Sequence, residues 1–268
     1  MCFRTFMVRL LVPGVLLCAG MAAADVLDGG EVRFAGQVTD EGPRWTWQLG
    51  TSDQTWAVDT AGARTVANLL VFDLHARGAL PFLEGRLHQI ADQGGPGFSP
   101  QVTFSSQGQS LLLPQGGDTT RGRFQAAVPV TDPDTGRPVG QLSFTVEQGL
   151  AAAFGVQPAT GSTGGAPGLP AGMALLTGGA VTQLPGEGLS QGILTRLSAL
   201  LLTTPGWGHG MSAAFSGRVL PQSVLSADSV TTIAAAYAST LSGFQLTLPA
   251  EETPAAWQAR ISVTVTVQ

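Results

Sequence analysis

The sequence predicts an all-β protein built as a sandwich of two sheets. Between about residues 25 and 146, short apolar or alternating segments recur, and residues that favour turns separate them. The spacing of these segments is typical of a β-sandwich. One later segment, residues 193–202, instead carries its apolar residues at helical spacing. We therefore expect two packed sheets accompanied by one short helix.

The first 24 residues have the features of a secretory signal peptide. A start that contains two arginines, an apolar run at 10–19 and three alanines at 22–24 follow one another in the order typical of such leaders. The apolar run is too short to cross a bilayer, and no later segment reaches the roughly 18 apolar residues required. Because Leu17 rather than a small residue precedes Cys18, we do not expect lipidation. The interpretation is export to the periplasm or beyond.

Composition restricts the chain that remains after the leader. Both cysteines, Cys2 and Cys18, lie in the leader, so the fold has no disulfide to stabilise it. The 268 residues less the 24 of the leader leave about 244, enough for one large all-β domain or two small ones. All basic residues are arginine, and the remaining chain has 11 of them against 18 acidic residues, a net charge of minus seven. This charge disfavours binding to nucleic acid or to anionic lipid.

Several segments in the first half predict strands. In RWTWQL, Trp45, Trp47 and Leu49 alternate with polar residues, as in a half-buried strand. NLLVFDLHA at 68–76 suits a helix or a strand, and we interpret it as a strand because it is short and turn-forming residues bound it. TDPDTGRPVG predicts a hairpin turn. The other predicted strands are QVTF, SLLLP, RFQAAVPV and QLSFTV.

Two terminal segments show the same alternation. In EVRFAGQV at 31–38 one face carries Val32, Phe34, Gly36 and Val38, and the other carries Arg33, Ala35 and Gln37. In the ending ISVTVTVQ the two faces carry aliphatic residues and Ser or Thr, and the aliphatic face comprises Ile261, Val263, Val265 and Val267. The first segment has no evident strand before it, and the second has none after it.

Residues 155–192 are rich in Gly, Pro, Ser and Thr, which predicts a long loop or an inserted substructure. The segment ILTRLSALLL that follows is the predicted helix, with Gly192 before it and Pro205 after it. Beyond it come TTIAAAYAST and FQLTLP, two further apolar segments. Trp207 lies between glycines on a predicted loop. Such an aromatic ring either covers part of a core or stacks on a sugar, and we favour the first interpretation.

Three features that suggest catalysis or metal binding lack the partners they need. GLSQG matches the hydrolase elbow around Ser190, but the downstream order, His209 and then Asp228, is the reverse of the required one. The DTG at Asp134 occurs once and sits in a turn sequence. No histidines share the spacing of metal ligands among His75, His88 and His209. We expect no enzyme, no metal and no cofactor.

Several segments, taken in order, resemble the Fae-type (kappa-class) fimbrial subunits of chaperone-usher systems. They are GEVRFAGQVTDEGPRWTWQLG, LPFLEGR, PQVTFSSQGQSLLL, FQAAVPVTDPDTGRPVGQLSF, AAAYAS and AWQARISVTVTVQ. The resemblance covers most of the chain after the leader and is weakest between about residues 155 and 220.

The resemblance implies an incomplete immunoglobulin-like pilin sandwich at 41–268 that lacks its last strand, with a variable insertion at about 155–220. It also implies partners: a periplasmic chaperone, an outer-membrane usher and neighbouring subunits in a fimbrium on the cell surface. Residues 25–40 become an N-terminal donor extension whose donor row is Val32, Phe34, Gly36 and Val38. The acceptor and chaperone-binding strand is then the one with Ile261, Val263, Val265 and Val267.

Two departures from the family modify this expectation. The chain ends in Gln268, where such subunits often end in an aromatic residue. Its variable region is also shorter and richer in Gly and Pro than that of the major adhesive subunit, which favours a minor subunit. The alternative is a glycan-binding fimbrial adhesin that uses residues 155–215, with Trp207 contacting host glycans.

Overall fold

A computed structural model of the chain describes residues 44–51, 53–155, 169, 171–208, 210–227 and 231–268. The described residues form thirteen strands and one α-helix, together with three short 3-10 helices at Thr60–Gly62, His75–Arg77 and Gln222–Leu225. The strands are β1 Trp45–Leu49, β2 Arg64–Val66, β3 Leu69–Asp73, β4 Leu80–Leu87, β5 Pro100–Ser106, β6 Gln109–Ser110, β7 Arg123–Thr131, β8 Pro138–Phe154, β9 Met173–Thr177, β10 Phe215–Pro221, β11 Ile233–Pro249, β12 Gln258–Ala259 and β13 Ser262–Val267. The helix α1 spans Gln191–Leu202.

The larger sheet contains ten of these strands. Its main path runs β1-β4-β11-β8-β7-β12, with β3 and β2 added beside β11, and β9 and β10 added beside β8. All pairings are antiparallel except that between β9 and β10. Strand β1 pairs only with β4 among the described residues, so it forms one edge of this sheet.

Strands β8 and β11 form the long centre of this sheet. Each has 17 residues, and they pair from Ile233 with Phe154 to Thr247 with Gln141. The register shifts between Ser242 and Gln245, at the point where Gly243 adopts a positive φ of 62° that favours glycine. Alanines alternate between the two faces of both strands, which lets other layers approach closely on each side.

The smaller sheet has the order β13-β5-β6 and packs on one face of the larger sheet. Aromatic side chains of both sheets meet between them, for example Phe82 of β4 with Phe104 of β5 at 6.0 Å between ring centroids. Phe104 also contacts Phe124 of β7, at 5.9 Å. This core confirms the predicted all-β sandwich.

Helix α1 covers the opposite face of the larger sheet. Its residues Ile193, Leu197 and Leu201 pack on a second core made largely of alanines from β8 and β11. The helix begins after Ser190, whose hydroxyl accepts a hydrogen bond from the backbone N–H of Ile193. Arg196 on this helix forms a bidentate ion pair with Glu84 of β4, with Nη2 2.7 Å from Oε2. The sandwich therefore carries a third, helical layer.

Comparison with the predictions confirms most elements and corrects their lengths. The segment NLLVFDLHA does contain a strand, β3, and the predicted helix is α1. TTIAAAYAST and FQLTLP are parts of one strand, β11, and QLSFTV is the first half of the longer β8. SLLLP is wrong as a strand, because only its serine belongs to β6 and Leu112 makes an isolated bridge to Ala127. Within 155–192, β9 pairs with β8 as part of the larger sheet.

Among the residues that the structure describes, no helix has the length and apolar character needed to cross a membrane.

Candidate functional site

Strand β13 lies at the edge of the smaller sheet, and among the described residues it pairs only with β5. Gln268 and Ser99 exchange two backbone hydrogen bonds, at 2.9 and 3.2 Å, and the register from there to Ser262 opposite Ser105 is regular. Because hydrogen-bonded and non-bonded pairs alternate in an antiparallel ladder, the even-numbered residues from 262 to 268 bond to β5. The N–H and C=O groups of Val263, Val265 and Val267 therefore point to the other side, where no described strand pairs with them.

The same odd-numbered residues carry the aliphatic side chains. Val263 is 4% exposed, Ile261 and Val265 are partly buried against the main core, and Val267 is 46% exposed. Within β13, exposure thus increases from Val263 through Val265 to Val267. A strand added to this edge would find unpaired backbone groups and a partly covered apolar surface in the same place.

Strand β1 offers a second edge of the same kind. Two backbone hydrogen bonds beside it, His88 N–H to Arg44 O and Gly50 N–H to Phe82 O, place its even-numbered residues in the pairs bonded to β4. The backbone groups of the odd-numbered residues then point outward. These residues carry the inward-facing side chains Trp45, Trp47 and Leu49.

Contacts at both ends show that β1 and β13 run in opposite directions. At one end, Trp45 at the start of β1 donates a hydrogen bond from its indole to Phe98 O, at 3.1 Å, and the neighbouring Gly97 N–H bonds to Gln268 O at 2.8 Å. At the other end, residues 51 and 53–56 after β1 and residues 257–261 before β13 line one cavity. We call the region between these two strand edges the edge groove.

The cavity at the Ile261 end of the edge groove has a volume of about 380 Å³. Its walls are largely apolar and aromatic, and Trp56 lies between Phe244 and Trp257, with ring centroids 4.8 and 6.4 Å away. Arg260 also lines it, and the buried Nε–H of this arginine has no hydrogen-bond partner among the described residues. Such an unpaired buried donor is uncommon and favours an acceptor from outside the described chain.

Two sets of buried polar contacts lie near β1, one towards the main core and one towards α1. The hydroxyl of Tyr237 donates a 2.5 Å hydrogen bond to Oε1 of Gln148, and the ring of Tyr237 contacts that of Trp47 at 5.8 Å. Complete burial raises the pKa of Tyr237 above its ordinary value. Nearby, Glu84 is 1% exposed and accepts hydrogen bonds from Gln48 of β1 and Arg196 of α1. The carboxylate in turn raises the pKa of Arg196 through this hydrogen bond. These contacts fix β1 in place.

The other predicted residues lie in different surroundings. The donor row Val32, Phe34, Gly36 and Val38 falls outside the described residues. Trp207 is partly buried against the second core. Ser190 caps α1, and its N–H bonds to a carboxylate oxygen of Glu147 at 2.6 Å.

The remaining candidates form local contacts near the surface. Asp134 sits in the predicted turn, in which Asp132 accepts hydrogen bonds from two backbone N–H groups. These bonds, that of Thr135 foremost, lower the pKa of Asp132. His75 contacts Asp73, and His88 lies 3.2 Å from the hydroxyl of Thr46. No cluster of potential metal ligands exists within the described part of the chain.

Sequence reasoning missed the second edge and the cavity. Trp45, Trp47 and Leu49 were predicted to face one way, but the direction of β1 relative to β13 depends on contacts distant in sequence. The aromatic residues Trp56 and Trp257 lie 201 positions apart and stand in segments without strand periodicity. In the sequence, the position of Glu84 within a mainly apolar segment could have indicated its ion pair with Arg196.

The sequence matches a known protein family over most of its length. The model of the family described as “Fimbrial, major and minor subunit” matches residues 5–268. The chain belongs to this family. A search of curated proteins finds no significant match. The protein is thus a fimbrial subunit, a component of a surface fimbria that assembles with other subunits. Its family is structural rather than enzymatic.

Proposed function

We propose that this fimbrial subunit is joined to its neighbours by donor-strand exchange, with the edge groove as the acceptor. The observation that carries the proposal is the coincidence on β13 of unpaired backbone groups and aliphatic side chains of one face at the same residues, Val263, Val265 and Val267. Val263 and Val265 pack against the core, and Val267 is exposed. Addition of an extended segment to such an edge uses main-chain hydrogen bonds for affinity and pockets for alternate side chains for specificity.

The donor in this proposal is residues 31–38 of the next subunit. Burial of Val32, Phe34 and Val38 is worth roughly 1.5 to 3 kcal/mol each, about 5 to 9 kcal/mol together. Ordering some ten residues costs about 1 to 2 kcal/mol apiece in backbone entropy. Side-chain burial alone is therefore insufficient, and the backbone ladder along β13 has to contribute. Gly36 lets the donor backbone approach where the acceptor surface is shallow.

The remaining steps of assembly follow from an exposed, apolar strand edge. Such an edge promotes aggregation, so a periplasmic chaperone that lends a strand, followed by transfer at an outer-membrane usher, fits the need to protect it. Residues 1–24 would direct the export that precedes these steps. We place the protein among the minor subunits, because its Gly- and Pro-rich region is short, and we assign it a contribution to cell adhesion through the fimbria.

A peptide addition experiment tests the acceptor. Subunit lacking residues 1–39, and therefore without its own segment 31–38, is refolded with an excess of a synthetic peptide of residues 30–39, or with the same peptide carrying threonine in place of Val32, Phe34 and Val38. The native peptide should keep the subunit soluble and monomeric, because it covers the edge of β13. Equal aggregation with both peptides would refute the role of β13 as the acceptor strand.

The alternative is a glycan-binding adhesin that uses residues 155–215. It is favoured by the incomplete burial of Trp207, which leaves part of the ring accessible. The test is a glycan array with the native subunit, Trp207→Ala and Trp207→Phe, in which the phenylalanine variant preserves contact with the second core. Binding that both substitutions weaken in order of lost ring area would support this role. Binding to no glycan would eliminate it.

A further inference from the structure

The described chain begins at one particular end of the edge groove. Arg44 directly precedes β1, and its side chain lies against Gly97, the residue whose N–H bonds to Gln268 O. The segment that precedes Arg44 in sequence therefore starts from the Gln268 end of the groove. We propose that in a free subunit residues 31–38 of the same chain return along the edge of β13 and cap it until a neighbour's segment replaces them. This inference rests on the proposed acceptor role of β13.

The linking residues are long enough for this return. Residues 39–43, TDEGP, lie between the segment and Arg44, and five residues can span about 17 Å at 3.3 to 3.6 Å each. The distance to cross is about 10 Å, the usual separation of packed sheets. Asp40, Gly42 and Pro43 also favour a turn at this point. The chain can therefore reverse before β1 without drawing on residues 31–38.

The position of the turn sets the direction of the capping strand. Strand β13 ends where β1 begins, so a segment that reverses just before β1 runs parallel to β13. A segment from a neighbour has no such tether and is free to pair antiparallel. Parallel pairing is slightly less stable per residue. Proximity thus favours the subunit's own segment, whereas the more stable antiparallel pairing favours the neighbour's segment.

Proximity is sufficient to favour capping in dilute subunit. A short flexible linker gives an effective concentration of about 1 mM, roughly 1,000-fold above a neighbour at 1 µM. Exchange for the antiparallel strand then releases the subunit from this state once neighbours are held close together. The capped form would delay premature polymerisation without an additional protein.

The two directions bring different outward-facing residues together. With the aliphatic rows of both segments facing the core, parallel capping places Gln37 beside Thr266, whereas antiparallel exchange places Gln37 beside Ser262. Adjacent strands lie about 4.8 Å apart, within the range of Cα separations that a disulfide bridges. Because both native cysteines lie at positions 2 and 18, a chain without the leader contains no competing thiol.

Disulfide trapping distinguishes the arrangements. Subunit lacking the leader, at 1 µM under mild oxidation, is prepared as Gln37→Cys with Thr266→Cys, and as the matched control Gln37→Cys with Ser262→Cys. We expect the first pair to form an intramolecular disulfide at least about tenfold faster than the second, since only parallel capping joins it. At high subunit concentration the second pair should form intermolecular dimers.

Each other outcome overturns a defined part of the proposal. Monomers linked mainly through residues 37 and 262 would contradict parallel capping. No monomeric link in either variant, together with dimers linked through 37 and 262, would refute self-capping and leave donor-strand exchange intact. No link of any kind would refute both.

Discussion

Replacement of Val265 by proline tests the assignment of free backbone groups on β13. The N–H of Val265 points away from β5, so its loss should remove no hydrogen bond within the sandwich. The adjacent Thr264 bonds to β5, and Thr264→Pro therefore breaks the ladder while imposing the same ring on φ. The free energy of unfolding should fall by about 0.5 to 1.5 kcal/mol more for Thr264→Pro than for Val265→Pro.

Binding of the donor segment should show the opposite order. In subunit lacking residues 1–39, Val265→Pro removes one N–H···O bond to an added strand and should weaken the binding of a fluorescent 30–39 peptide by roughly 2- to 12-fold beyond the effect of Val265→Ala. The alanine control isolates the half-buried methyl groups, worth about 0.8 kcal/mol. Urea unfolding gives the stabilities, and fluorescence anisotropy gives the affinities. Equal destabilisation by both prolines, or equal affinity of Val265→Pro and Val265→Ala, would refute the alternation assigned to β13.

Three further predictions concern the stability of the sandwich and of its helix. Tyr237 is the only tyrosine, and burial raises its pKa above the ordinary 10.0, so ultraviolet titration of the folded protein should show no phenolate near pH 10. Because the pKa of Tyr237 is higher in the folded state, its contribution to stability is complete below pH 10 and decreases above it. Ordinary ionisation of Tyr237 in the folded protein would contradict its burial. Gly85→Ala places a Cβ 2.3 Å from the Trp47 ring and should cost about 1 to 3 kcal/mol in urea unfolding, whereas Gly186→Ala, with open space around its Cβ, serves as the neutral control. Ser190→Ala should lower the free energy of unfolding by about 1 kcal/mol through loss of the α1 cap. The native subunit should not react with a fluorophosphonate probe, and labelling at Ser190 would instead reveal a nucleophile.

The elements with strong local periodicity were predictable from the sequence. The alternation of Trp45, Trp47 and Leu49 predicts a strand, and the structure contains it as β1. The spacing of Ile193, Leu197 and Leu201 predicts a helix, which is α1. SLLLP failed because three consecutive leucines contain no alternation that sets a register, and the chain leaves β6 after its serine.

The long-range arrangement of the strands was harder to predict from the sequence. The continuity of β11 across Gly243 was missed, because a glycine within an apolar segment suggests a break and here produces a register shift within one strand. The aliphatic row of β13 was found, but its coincidence with unpaired backbone groups depends on the bonded pair of Gln268 with Ser99. No periodicity in a single segment carries that information.

The most direct test of the acceptor role is covalent attachment of the missing strand. In a chain that starts after residue 39, residues 30–39 are appended through a flexible linker after Gln268, where β13 ends, so that they return antiparallel to it. The control carries threonine at the appended copies of Val32, Phe34 and Val38. We predict a soluble monomer whose Tm exceeds that of the control by at least about 5 °C, as expected for a net gain of roughly 2 kcal/mol in a domain of this size. Equal Tm and equal solubility of the two proteins would contradict the role of β13 as the acceptor of a donor strand.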